Sequence, residues 1–172
     1  MAMRSSRGLL CAAVLAFMFL PVRGIPVAGY LRGFVGDLSL TTWLLLGSFV
    51  LSFTFGPKLH DRRELGALAA FVLAGATFLY PMALGLTAFD PYALGYSARV
   101  GPLLLGLAPV ALVAWSRGRL LLPLSIGLAL AAFRFDLLES RNLWDYLLDP
   151  WLTVAMLGWA GFTIFARFSK SR

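Results

Sequence analysis

One cysteine, one histidine and eight carboxylates in 172 residues leave little for most enzyme chemistry. Cys11 has no second cysteine to pair with, which excludes an intramolecular disulfide and dithiol chemistry. His60 is the lone histidine, and a zinc site needs more histidine or cysteine than the chain holds. His60 beside Asp61 forms at most a dyad, and no serine or cysteine nucleophile shares its loop. Lysine occurs at Lys58 and Lys170 alone, and neither follows a glycine-rich phosphate loop. No metal or cofactor is called for. Low-complexity segments, convincing internal repeats and linkers long enough to separate domains are missing too, so residues 1–172 read as a single membrane domain.

Charge is also scarce. Charged residues make up 13% of the chain, about half the share usual in a soluble domain. Hydrophobic residues make up 60%, the mean hydropathy is +0.82, and the apolar residues come in unbroken runs. That is the signature of a chain whose solvent is lipid. The net charge of +7 is not nucleic-acid affinity, because the basic residues fall between the apolar runs.

The runs predict spans over 9–27, 38–55, 65–86, 100–115, 120–135 and 150–166. The fold class expected is an all-α integral membrane protein, a compact bundle of six transmembrane helices. It becomes five if the first segment is removed as a signal peptide. Arg4 and Arg7 followed by Leu9–Leu20 resemble such a peptide, but the run before Ile25 reads Pro-Val-Arg-Gly, without small residues at the cleavage-determining positions. An uncleaved anchor is therefore expected, with Arg23 snorkelling as the short run extends toward Val27. Gly66, Ala70, Ala74 and Gly75 in the third span allow close helix contact, and Pro81 kinks it.

Basic residues assign the sides. Arg4, Arg7, Lys58, Arg62, Arg63, Arg117, Arg119, Arg167, Lys170 and Arg172 fall on one face with Asp61 and Glu64, ten charges against two, or +8. Arg23, Arg32, Arg99, Arg134 and Arg141 fall on the other with six acids, or −1, and the two faces together restore +7. Both termini are thus expected in the cytoplasm of a bacterium, with the inner membrane as location. The cytoplasmic rim is a basic collar suited to anionic lipid.

The periplasmic face carries the distinctive residues. From Arg134 to Trp151 the chain combines charge, aromatics and amphipathic spacing. Wound as a helix, 134–149 puts Arg134, Arg141 and Asp145 within about 40° of one another. Leu137, Leu138, Trp144, Leu147 and Leu148 then form an apolar stripe. A short amphipathic interfacial helix is expected near 136–148. Asp149-Pro150 reads as an N-cap followed by proline at the first helical position, and Asp90-Pro91 repeats the pattern. All five positive charges on this face are arginine, the residue that grips phosphate or carboxylate in a bidentate fashion.

Candidate binding residues are Arg32, Arg99, Arg134, Arg141, Trp144 and Asp145. Asp136 and Glu139, at i and i+3, are the candidate acid/base pair. The bland alternatives are strong: Asp90 and Asp149 as helix caps, Arg141 and Asp145 as an i, i+4 support, and the aromatics as interfacial anchors. The middles of the spans offer only hydroxyls such as Thr42, Ser52, Thr77 and Ser125, which argues against an ion-coupled pump. The function expected is therefore a non-catalytic subunit or scaffold of a cell-envelope complex, presenting an Arg/Asp-rich edge to a partner protein. The alternatives are an enzyme or carrier acting on an anionic lipid or lipid-linked phosphate, and, less favoured, a small transporter or channel. The partners expected are membrane lipids and an envelope protein or lipid-linked substrate, with no nucleic acid.

Overall fold

The computed structural model describes residues 2–56, 58–86 and 88–170, the side chains of residues 2–5 and of Lys170 excepted. Of the basic collar, Arg172 thus lies outside the described residues, as do the side chains of Arg4 and Lys170; Pro57 and Thr87 also lie outside. The protein is all-α apart from a pair of two-residue strands. Three helices are long and apolar enough to cross a membrane: 62–83, 97–116 and 150–169. Three shorter apolar helices accompany them, over 6–18, 40–55 and 121–134. The chain divides into two compact units: residues 1–38 with 43–59, and residues 39–42 with 60–172.

In the first unit, α1 (Ala2–Met18) is followed by β1 (Pro21–Val22), β2 (Ile25–Pro26) and α2 (Val27–Val35). The span expected to run on to Val27 stops at Met18. Arg23 and Gly24 both take positive φ, 51° and 85°, and close a two-residue antiparallel hairpin. Two successive left-handed residues match the strand twist that such hairpins need. The Tyr30 hydroxyl donates to the Val22 carbonyl at 3.0 Å and ties α2 to the hairpin. Most of α3 (Leu40–Phe55) belongs to this unit. Its last turns meet the start of α1, where Arg7 lies over the Phe53 ring at 5.3 Å. Cys11 Sγ and Thr54 Oγ1 are 3.3 Å apart in the same contact.

The second unit contains α4 (Arg62–Ala83), α5 (Val100–Ser116), α6 (Leu121–Arg134), the five-residue α7 (Leu143–Leu147) and α8 (Pro150–Lys170). Short 3-10 turns occupy Tyr92–Gly95 and Ser97–Arg99. α4 packs on α8 and on α6, and α6 packs on α5 and α7. Leu68, Val72, Leu121, Ile126, Leu143, Tyr146 and Leu152 are all buried there. The outward faces are apolar too: Leu105, Trp115, Leu157, Phe162 and Phe165 are all more than 60% exposed. A water-soluble domain does not offer its solvent rows of this kind.

Helices α4, α5 and α6 end alike. Gly85, Gly118 and Asp136 take left-handed φ of 80°, 68° and 48°. The following amides, Leu86, Arg119 and Leu137, reach back five residues to the carbonyls of Pro81, Ala114 and Ala132 at 2.9–3.1 Å. This is the Schellman closure, which satisfies carbonyls that the last turn leaves open. Asp136 fills the position usually given to glycine. It terminates α6, so residues 134–149 are not one helix, and the angular grouping of Arg134, Arg141 and Asp145 does not form. What remains of the expected helix near 136–148 is α7, whose Leu143, Trp144, Tyr146 and Leu147 are buried within the protein.

Candidate functional site

Two stretches, 89–96 and 138–150, lie against each other in the second unit. Asn142 links them. Its Nδ2 donates to the Tyr92 carbonyl at 2.8 Å, and its backbone forms an antiparallel bridge with Tyr96. Its Oδ1 accepts from the Trp144 amide at 3.0 Å and so caps α7. Trp144 donates its indole N–H to the Pro91 carbonyl at 3.0 Å. Asp145 accepts the Tyr92 hydroxyl at 2.7 Å and the Ser140 hydroxyl. Tyr92 and Tyr96 meet edge to face, with centroids 5.8 Å apart.

Tyr146 anchors the other side of the segment. It is fully buried, accepts the Leu138 amide at 3.1 Å, and lies within hydrogen-bonding reach of the Leu138 and Ser140 carbonyls. Its ring stands edge-on to Phe133. Burial and the neighbouring Asp145 charge push the Tyr92 phenol well above the usual tyrosine range, so it remains a neutral donor to Asp145.

Asp149 performs a second linkage. It is 5% exposed. One carboxylate oxygen caps α8 through the Leu152 amide at 2.8 Å. The other accepts the Ser39 amide at 3.0 Å, the Ser39 hydroxyl at 2.7 Å and the Thr42 hydroxyl. Ser39 in turn accepts the Thr42 amide at 3.2 Å and caps α3. One buried charge therefore serves the N-termini of two helices, where the helix dipoles favour an anion. The bond of Ser39 to Asp149, across 110 positions, has no sequence signal.

The candidate residues thus fall into separate groups. Trp144 and Asp145 are brought together with Tyr92, Ser140 and Asn142. Arg134 ends α6 and is exposed, as are Asp136, Glu139, Arg141 and Arg99. Arg99, Arg134 and Arg141 make no ion pair among the described residues. Arg32 is in the first unit and pairs with Asp37, through Nε to Oδ1 at 2.6 Å and Nη2 to Oδ2 at 3.1 Å. No cluster of three potential metal ligands occurs among the described residues.

At the opposite end of the second unit, the acids also act as caps. Asp61 accepts the amides of Arg63 and Glu64, both at 2.8 Å. The Glu64 amide chiefly holds its carboxyl below the ordinary range; burial opposes this, and the Arg63 amide and the charges of Arg63 and Arg119 add to the lowering. Glu64 accepts the Leu120 amide at 2.8 Å and the Leu121 amide at 3.0 Å, and so caps α6 from another helix. Beside them, α4 and α5 leave an open groove of about 620 Å³, walled by apolar side chains and reaching Arg117 and Arg119. No family model, curated protein or solved structure matches this chain.

Proposed function

We propose that this is a multi-pass protein of the bacterial cytoplasmic membrane, crossing it six times with both termini inside, and that it is a non-catalytic subunit or scaffold of an envelope complex. Two features support the topology. Arg7 and the last turns of α3 meet in the first unit, and the 61–64 and 117–121 segments meet in the second. These are contacts between segments that the positive-inside bias puts on one side. The 89–96 and 138–149 segments meet at the other end of the second unit.

The observation that carries the functional reading is how the acids are used. Asp145 is occupied by Tyr92 and Ser140, Asp149 by Ser39, Thr42 and Leu152, and Asp90 by the Tyr92 amide. A general base must reach a substrate proton; these three are bound to the protein itself, and of the exposed candidate pair Asp136 and Glu139 the first serves to end α6. They build a braced periplasmic platform, with the guanidinium groups of Arg99, Arg134 and Arg141 exposed around it. Exposed guanidinium groups around a braced support recognise carboxylates of a partner protein.

The test is affinity purification from membranes in mild detergent, with reporter fusions at 60 and 142 for topology. A partner retained in fixed stoichiometry, and lost from Arg134→Glu/Arg141→Glu at unchanged expression, is the expected result. A lone monomer in every detergent sinks the scaffold reading. An inactive periplasmic reporter at residue 142 sinks the topology.

A further inference from the structure

We infer that the groove between α4 and α5 holds one anionic phospholipid of the cytoplasmic leaflet, with an acyl chain along the groove and its phosphate at Arg117 and Arg119. Both helices pack on α6, and Leu122 and Trp144 also line the furrow between them. Ala70, Phe71, Ala74, Phe78, Val110 and Val113 wall it. Of the small residues expected to bring helices together, Gly66 and Gly75 lie close to Trp159 and Leu148, whereas Ala70 and Ala74 are exposed and leave room for a chain. From Ala67 to Phe78 the groove runs about 16 Å at 1.5 Å per residue. That matches the roughly 15 Å hydrocarbon depth of one leaflet.

Charge selects the headgroup. A polar pocket lined by Asp61, Arg63, Glu64, Arg117, Gly118 and Arg119 adjoins the groove and shares both of its arginines. Neither carboxylate forms a salt bridge with those guanidinium groups among the described residues, although the charges of Arg63 and Arg119 act on Asp61. Asp61 is bonded to the first amides of α4, and Glu64 to the amides of Leu120 and Leu121. Arg63, Arg117 and Arg119 make no ion pair among the described residues. Gly118, in its left-handed conformation, turns the chain so that Arg117 and Arg119 flank the mouth. An apolar slot one leaflet deep that ends in arginines fits a phosphate-headed lipid. A transmembrane helix of another protein would meet these charges at its own end without an answering phosphate.

The inference rests on the membrane reading but not on the scaffold reading. The test is native mass spectrometry of the full chain with phosphatidylglycerol and, separately, phosphatidylcholine of the same acyl chains. Wild type is expected to retain phosphatidylglycerol preferentially. Arg117→Gln/Arg119→Gln should cut that preference roughly 30-fold, at about fivefold per arginine. Ala70→Phe/Ala74→Phe, which fills the groove from exposed positions, should release both lipids while the melting temperature holds. Arg167→Gln, a basic residue of the same rim outside the groove, should change nothing. Equal retention of the two lipids by wild type, or an Arg167→Gln loss as large as the double variant's, overturns the site. So does a photo-cross-linker at residue 70 that captures protein and not lipid. A complex that survives while the lipid preference vanishes sinks this inference alone.

Discussion

Asn142 lies so close to Gly95 that a Cβ on the glycine would stand 1.7 Å from the Asn142 Oδ1 and 2.8 Å from the Trp144 ring. Only a hydrogen fits at residue 95. Asn142 cannot retreat without giving up the Tyr92 carbonyl and the cap of α7. Gly95→Ala should therefore separate the 89–96 and 138–150 segments and cost about 1–3 kcal/mol, the range for overpacking a tight interior. Gly127→Ala on α6 meets open space. It should gain up to about 1 kcal/mol from helix propensity. Opposite shifts of the melting temperature in one detergent check both.

The Tyr92–Asp145 bond gives the same contact a pH dependence. The folded phenol titrates above the unfolded one, so its stabilisation is complete below the unfolded pKa of about 10 and is lost at higher pH as the folded phenol ionises. Stability measured from pH 8 to 12 should fall more steeply in wild type than in Tyr92→Phe. At neutral pH the variant should be weaker by about 1–3 kcal/mol, because Asp145 loses a donor. Parallel curves would show that Tyr92 does not carry the effect.

Asp149 joins two helix starts, and the cost of removing it should reflect both. Asp149→Ala strands the Ser39 and Leu152 amides and the Ser39 and Thr42 hydroxyls in a buried place. A lost cap and several unanswered donors together predict about 3–5 kcal/mol. Asp149→Asn keeps one acceptor oxygen and should lose less. Hydrogen exchange should accelerate at the first turns of both α3 and α8. Acceleration at α8 alone would show that the link to Ser39 is not made.

How far the sequence reveals this arrangement varies with the kind of interaction. The apolar runs place α3, α4, α5, α6 and α8 to within a few residues, because each of these helices is apolar along its length. Asp149-Pro150 marks the start of α8, because capping is local chemistry. The first run fails beyond Met18, since the Arg23-Gly24 turn is a backbone choice that hydropathy does not register. The Arg134–Trp151 stretch fails as a helix for a related reason. A period of 3.6 residues can be drawn through any segment, and the Asp136 left-handed turn interrupts this one. Trp144 and Asp145 are legible as special residues, but their contacts with Pro91 and Tyr92 span 53 positions and follow from packing. The Glu64 cap of α6 has no sequence signal for the same reason.

Asp136 offers the sharpest separation between a structural and a catalytic role. As a candidate base it should be indispensable; as the terminator of α6 it is an inferior glycine. An L-residue in the left-handed region costs about 1–2 kcal/mol, only partly offset by the smaller entropy an aspartate loses on folding. Asp136→Gly should therefore raise stability by roughly 0.5–1 kcal/mol, whereas Asp136→Val, β-branched at φ 48°, should destabilise. The Schellman bonds from Asp136 to Phe133 and from Leu137 to Ala132 use only backbone atoms, so the glycine variant keeps them. If residue 136 serves only to end a helix, Asp136→Gly should also complement a deletion strain fully. Gained stability with lost complementation would assign the carboxylate a chemical task and return the protein to the enzymes.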